Sequence, residues 1–140
     1  MELRSKWDPN VAETRFIKVL GDSCAFNYVK TKKIAVVSSR DQYMMAQTRR
    51  LEASKSPNGK KCIYIALKSK DLPDYPPIDG VVRIQTILTG FYLVELEPNL
   101  VEIHFYLESD AKISMFIAKQ VMPKSSNYAN LVREFIESNK

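Results

Sequence analysis

From Val101 to Glu108 the chain alternates strictly. Val101, Ile103, Phe105 and Leu107 share one face of an extended strand, and Glu102, His104, Tyr106 and Glu108 share the other. At Asp110 the period changes from two to 3.6. Ile113, Phe116, Ile117, Gln120 and Val121 then form one helical stripe, and beyond Pro123 a second runs through Tyr128, Leu131, Val132, Phe135 and Ile136. Asp110 is the expected N-cap of the first piece and Ser125 or Ser126 of the second, with a kink or break near Pro123.

Everything before this switch reads as strands. Residues 13–20 and 24–30 flank Gly21-Asp22-Ser23, a hairpin signal, and a strand is expected over 42–51. Pro57-Asn58-Gly59 marks the next turn, 62–69 the next strand, and 81–88 and 91–97 flank Thr89-Gly90. About seven antiparallel strands followed by one long amphipathic helix make an α+β layout, a curved sheet wrapped around the helix. A strongly curved sheet cannot lie flush on one helix, which leaves room for an apolar cavity between them.

Segment 70–80 interrupts the strands with Pro73, Pro76 and Pro77. Prolines fix φ and lack a donor, so this backbone has to cross outside the ladder, and its stiffness lowers the entropy cost of a long connection. Tyr75 is the expected anchor on the sheet rim. Asp79-Gly80 is the turn that sets the register of Val82 and Ile84.

With 140 residues and 45% hydrophobic content, the chain fits one domain over 1–140 with a real core. Cys24 and Cys62 are too few for a disulfide framework, which implies a reducing, cytoplasmic setting. No window nears the ~18 apolar residues of a membrane span. The net charge of +5 suits an acidic partner. Arg49, Arg50, Lys55, Lys60 and Lys61 gather around one loop, without interleaved aromatics for base stacking, so nucleic acid is not expected. A solvated loop or an anionic membrane surface remains, and Arg49, Lys55, Lys60 and Lys61 are the candidate membrane contacts.

Catalysis and metal binding find little support. His104 is the single histidine and belongs to the polar face of its strand, as an ordinary surface histidine would. One histidine and two distant cysteines do not compose a zinc site, and the four glycines are isolated, so no phosphate-cradling loop exists. No enzyme, metal or cofactor is expected. The sharper feature is the strand over 42–51. One register turns Gln42, Met44, Ala46, Thr48 and Arg50 inward, and the other turns Tyr43, Met45 and Gln47 inward. In the first, internal hydrogen bonds or a bound polar head group must satisfy the amide and hydroxyl, since each unpaired polar group costs about 1–3 kcal/mol.

Trp7-Asp8 with Asn10, the Arg40-Asp41 strand opening, and the connection from Leu72 to Arg83 with its paired prolines and Gly80-Val81-Val82-Arg83 occur in a telling order. Together they resemble the StAR-related lipid-transfer (START) family over nearly the whole chain. The resemblance implies a helix-grip fold whose tunnel holds one lipid, a phospholipid or sterol, carried between membranes or sensed. On that reading Val82, Ile84, Tyr92, Val94, Ile103, Phe105 and Leu107 line the tunnel from the sheet. Phe116, Ile117 and Val121 close it as a helical lid that moves about Pro123 and Asp110. Gln42, Thr48, Arg50 and Thr86, with Met44 beside them, are the head-group contacts. Partners are the lipid and, transiently, an anionic membrane surface.

Three departures qualify the match. Trp7-Asp8 lies well inside a typical domain, so the domain is expected to be N-terminally shortened, with a sheet edge open to another copy. Ala46 stands where many members place an inward arginine, leaving Arg50 as the nearest substitute. The Gly-Trp-x-Pro entry to the last helix is missing. The competing class is a non-transferring regulatory or interaction module with a collapsed cavity; an enzyme on the same scaffold ranks third.

Overall fold

A computed structural model describes residues 4–34, 36–119 and 127–139. Gln120 and Val121 of the first helical stripe, the break at Pro123, and the caps at Ser125 or Ser126 lie outside the described residues. A short helix α1 (Arg4–Trp7), with no counterpart in the sequence reading, precedes seven strands: β1 (Val11–Gly21), β2 (Cys24–Thr31), β3 (Arg40–Leu51), β4 (Cys62–Ser69), β5 (Val82–Arg83), β6 (Gln85–Glu97) and β7 (Leu100–Asp110). Residues 115–119 are helical, and α2 (Tyr128–Ser138) follows. The strands form one curved sheet in the order β1-β2-β3-β4-β6-β7, antiparallel throughout, with β5 added parallel to β3.

Register decides which side chains share a face. Ala46 pairs with Ala25 and Leu67, Ile65 with Thr48 and Phe91, and Phe91 with Phe105. Tyr128 of α2 packs on Phe105 with ring centroids 5.6 Å apart, which makes this the helix-side face. Its packed centre is Val11, Val29, Met44 and Leu67, with Ala46 and Ile65 against them. The inward set of β3 is therefore Gln42, Met44, Ala46, Thr48 and Arg50. Tyr43 points the other way, yet it too is buried.

What buries Tyr43 is the proline-rich connection. Tyr75 packs on its ring at 4.9 Å, and Tyr28 packs beside it at 4.8 Å. Arg83 closes the assembly: its Nε lies 2.7 Å from Asp41 Oδ1, its Nη2 3.1 Å from Oδ2, and it also donates to the carbonyls of Tyr75 and Pro76. These hydrogen bonds to Asp41 hold the Arg83 guanidinium above its ordinary pKa. Val82 N–H then bonds Ser39 O and Ile84 N–H bonds Asp41 O, which sets the start of β6. The stiff loop is thus clamped to the face opposite the helix.

Two expectations need correction. Thr89-Gly90 is not a turn; β6 runs straight through it, with Gly90 between Ala66 and Tyr106. A Cβ at Gly90 would meet Ile65 O at 2.5 Å, so the glycine serves close backbone approach. Asp110 is not a helix cap either. It ends β7, and its carboxylate accepts Lys112 N–H at 3.1 Å while Lys112 itself turns left-handed at φ 52°. The side chain that caps the turn at 115–119 is Ser114, whose Oγ accepts Ile117 N–H at 3.4 Å.

Candidate functional site: an apolar groove on the helix-side face

Beyond the packed centre the helix-side face opens. Cross-strand rows run Thr48–Ile65–Phe91–Phe105 and Arg50–Ile63–Leu93–Ile103, with Leu67–Thr89–Leu107 on the other flank. Phe91 and Phe105 touch at 4.9 Å between centroids. Ile103, Phe105 and Leu107 nevertheless remain 38%, 44% and 45% exposed. An apolar row this open, continuous with a packed core, is the form a binding groove takes. With Ile103, Phe105 and Leu107 this exposed, the helix-side face among the described residues is an open groove. A depression of about 280 Å³ over β6 and β7, lined by Leu88–Tyr92 and His104–Tyr106, belongs mostly to the opposite face, to which Leu88, Tyr92, His104 and Tyr106 project.

One end of the face is polar. Gln42 Oε1 accepts from Thr86 Oγ1 at 2.7 Å and from Ser69 Oγ at 3.1 Å, and Ser69 Oγ accepts Thr86 N–H at 2.8 Å. Gln42 and Thr86, singled out in the sequence, are thus brought together by internal hydrogen bonds, one of the two solutions open to them. Ser69, which joins them, was not foreseen. Its place at the end of an apolar strand gave no signal until β4 was paired with β3.

The other end is latched to the C-terminal helix. Tyr128 Oη donates to Asp8 Oδ2 at 2.9 Å and accepts from Arg4 Nη2, Arg4 Nε bonds the same carboxylate oxygen at 3.1 Å, and Trp7 meets the Tyr128 ring edge-on at 5.8 Å. Asp8 is 1% exposed, and Asn10 N–H bonds its second oxygen. Burial pushes the Tyr128 hydroxyl above its ordinary pKa, with Arg4 pulling the other way. The Trp7, Asp8 and Asn10 of the sequence motif therefore hold the start of α2 over β7.

The remaining named residues divide by face. Val82 pairs with Arg40, and alternation carries it, with Ile84, to the face of Gln42. Thr48 is half-buried and Arg50 exposed on that face, while Met44 is packed in the core. Tyr92 and Val94 do not join Ile103, Phe105 and Leu107: Tyr92 pairs with His104 and Val94 with Glu102, so both project from the opposite face. Their neighbours Phe91 and Leu93 occupy the groove instead, and the sequence reading missed them, together with Ile63 and Ile65. Phe116 is 72% exposed and Ile117 half-buried on the helical turn at 115–119. Arg49, Lys55, Lys60 and Lys61 are all exposed around the loop after β3. No helix among the described residues is long and apolar enough to cross a membrane.

The START domain family model matches residues 1–132. The chain belongs to the START family. Mouse and human START domain-containing protein 10 are each 30% identical to it over 128 residues, 91% of this chain and 40% of the relative. The chain thus spans about two fifths of the length of these curated relatives. Among solved structures, human StAR-related lipid transfer protein 5 superposes with a TM-score of 0.83 at 22% identity, covering 98% of this chain and 65% of that one. Human STARD10 gives 0.75 at 22% identity, over 98% and 58%. These structures share the START helix-grip architecture of a sheet curled toward its C-terminal helix.

Proposed function

We propose that this START domain takes up one lipid, a phospholipid or a sterol, along the helix-side groove and carries it between membranes. The observation that supports this most is the half-exposed apolar row Ile103, Phe105 and Leu107 on a face continuous with the core. Leaving an acyl chain in water costs about 0.8 kcal/mol per CH₂, so a chain of ~16 carbons faces a barrier on the order of 12 kcal/mol that burial against an apolar groove lowers. Phe91 and Leu93 extend the apolar floor. Gln42, Ser69 and Thr86 offer a polar end, with Thr48 and Arg50 on the same face for a head group. Phe116, Ile117 and Val121, with α2, would cover the bound chain. Arg49, Lys55, Lys60 and Lys61 would meet an anionic membrane from the cytoplasmic side, and the exposed edge strand β7 leaves room for a second copy.

The test is transfer of fluorescent phospholipid or sterol between donor and acceptor liposomes. Transfer above the spontaneous rate, with a lipid-sized increment in the native mass spectrum, is the expected result. A lipid-free mass together with no transfer at any donor composition would overturn the carrier reading.

A further inference from the structure

We infer that the face opposite the groove carries a separate site for a phosphomonoester-bearing membrane-lipid head group, built from Arg49, Lys55 and Tyr64. A pocket of about 390 Å³ lies there, lined by Arg49, Leu51, Lys55, Pro57 and Tyr64. Its size falls within the ~300–1,000 Å³ range of ligand pockets. Arg49 and Tyr64 are direct cross-strand partners, and both line the pocket. Among the described residues neither Arg49 nor Lys55 forms an ion pair, and no acidic side chain lines the pocket.

The walls are held by specific contacts. Asn58 Nδ2 donates to Tyr92 Oη at 3.0 Å, and Asn58 Oδ1 accepts from Ser56 Oγ at 2.5 Å and from Lys60 N–H at 3.3 Å. Gly59 supplies the left-handed backbone, φ 66°, that the turn requires. Asn58 therefore folds the loop over 52–61 back onto β6 and carries Lys55 to the pocket. Tyr64 stacks on Tyr92 at 4.5 Å, and hydrogen bonding to Tyr92, ahead of burial, pushes the Tyr64 hydroxyl up to about 12.

Chemistry selects the occupant. A phosphomonoester carries about −1.5 to −2 charge, which two unpaired cations match. A guanidinium offers it a two-pronged donor set, and lysine a point charge. Leu51 and Pro57 give an apolar rim suited to the interfacial part of a lipid. Single-stranded nucleic acid fits less well, because Tyr64 gives one ring face to Tyr92 and is the one aromatic side chain lining the pocket, too few for successive bases to stack. The site rests on the reading of the chain as a protein that works at membranes, but it lies across the sheet from the cargo groove.

Vesicle co-sedimentation with the full chain tests it. Phosphatidylcholine vesicles would carry either phosphatidylinositol bisphosphate or phosphatidylserine at matched total charge. Preference for the phosphoinositide is expected, with a loss of about thirty-fold for Arg49→Gln/Lys55→Gln. Lys32→Gln/Lys33→Gln, which removes the same charge from exposed positions in another loop, should cost far less; thermal melts check that both variants fold. Equal binding to both vesicles, or equal loss in both variants, would overturn the site. So would displacement of the protein by an oligothymidylate that depends on Arg49 and Lys55. A lipid-free native mass with retained phosphoinositide preference would sink the cargo reading and leave this one standing.

Discussion

Asp41 and Arg83 stand 42 positions apart and meet in a two-point ion pair, 2.7 and 3.1 Å, with Asp41 wholly buried and Arg83 14% exposed. The pair joins the opening of β3 to the end of the proline-rich connection. Removing the acid strands a buried guanidinium, and breaking such a pair costs about 3–5 kcal/mol. Asp41→Ala should lose about 3 kcal/mol in urea unfolding, and Asp41→Ala/Arg83→Met should recover part of it. A loss under about 1 kcal/mol, the range of exposed pairs, would show that the clamp is not structural.

Gly90 lies between β4 and β7, close against the β4 backbone. With a Cβ only 2.5 Å from Ile65 O, Gly90→Ala has to push β4 and β6 apart. A destabilisation of about 1–3 kcal/mol is expected, as for other overpacked sites. An unchanged denaturation midpoint would mean that β6 relaxes there without strain.

Tyr128 ties α2 to α1 through its hydroxyl. Tyr128→Phe keeps the ring contacts with Trp7 and Phe105 but removes a donor from Asp8 and an acceptor from Arg4. The cost should be about 1–2 kcal/mol and local. Hydrogen exchange reads it directly: amides at the start of α2 should exchange faster while β3 and β4 keep their protection. Equal protection in α2 of both proteins would refute the latch.

Alkaline stability follows from Tyr28. Burial first, then the negative charge of Asp41, raises its hydroxyl from 10.0 to about 12. Below pH 10 the folded and unfolded chains both hold this proton, and its contribution is level. Between about pH 10 and 12 the unfolded chain releases the proton and the native chain keeps it, so stability falls as pH rises. Urea midpoints across that window should fall less steeply for Tyr28→Phe. An identical slope in the two proteins would assign the alkaline loss to other groups.

Much of this was legible in the sequence for physical reasons. β7 alternates cleanly, so Ile103, Phe105 and Leu107 could be placed on one face without a structure. In β6 the run Phe91-Tyr92-Leu93-Val94 is apolar at every position, so alternation has no polar partner to mark the face. Only pairing with β7 settles it, and taking Thr89-Gly90 for a turn cut that link. Asp110 misled because aspartate serves both helix caps and short turns. Gln42 and Thr86 stood out because an amide and a hydroxyl on an inward strand need partners. Ser69 stayed hidden because the third member of a network appears only when strands distant in sequence are placed side by side.

The most direct test of the cargo site is photolabelling. The purified chain would be loaded from vesicles containing a phospholipid with a photoreactive acyl chain, irradiated, digested and sequenced by mass spectrometry. Labels are expected on the helix-side residues Ile65, Phe91, Leu93, Ile103 and Phe105. Labels confined to Tyr64, Tyr92 and His104 on the opposite face, or none above an unirradiated control, would contradict a lipid-carrying groove.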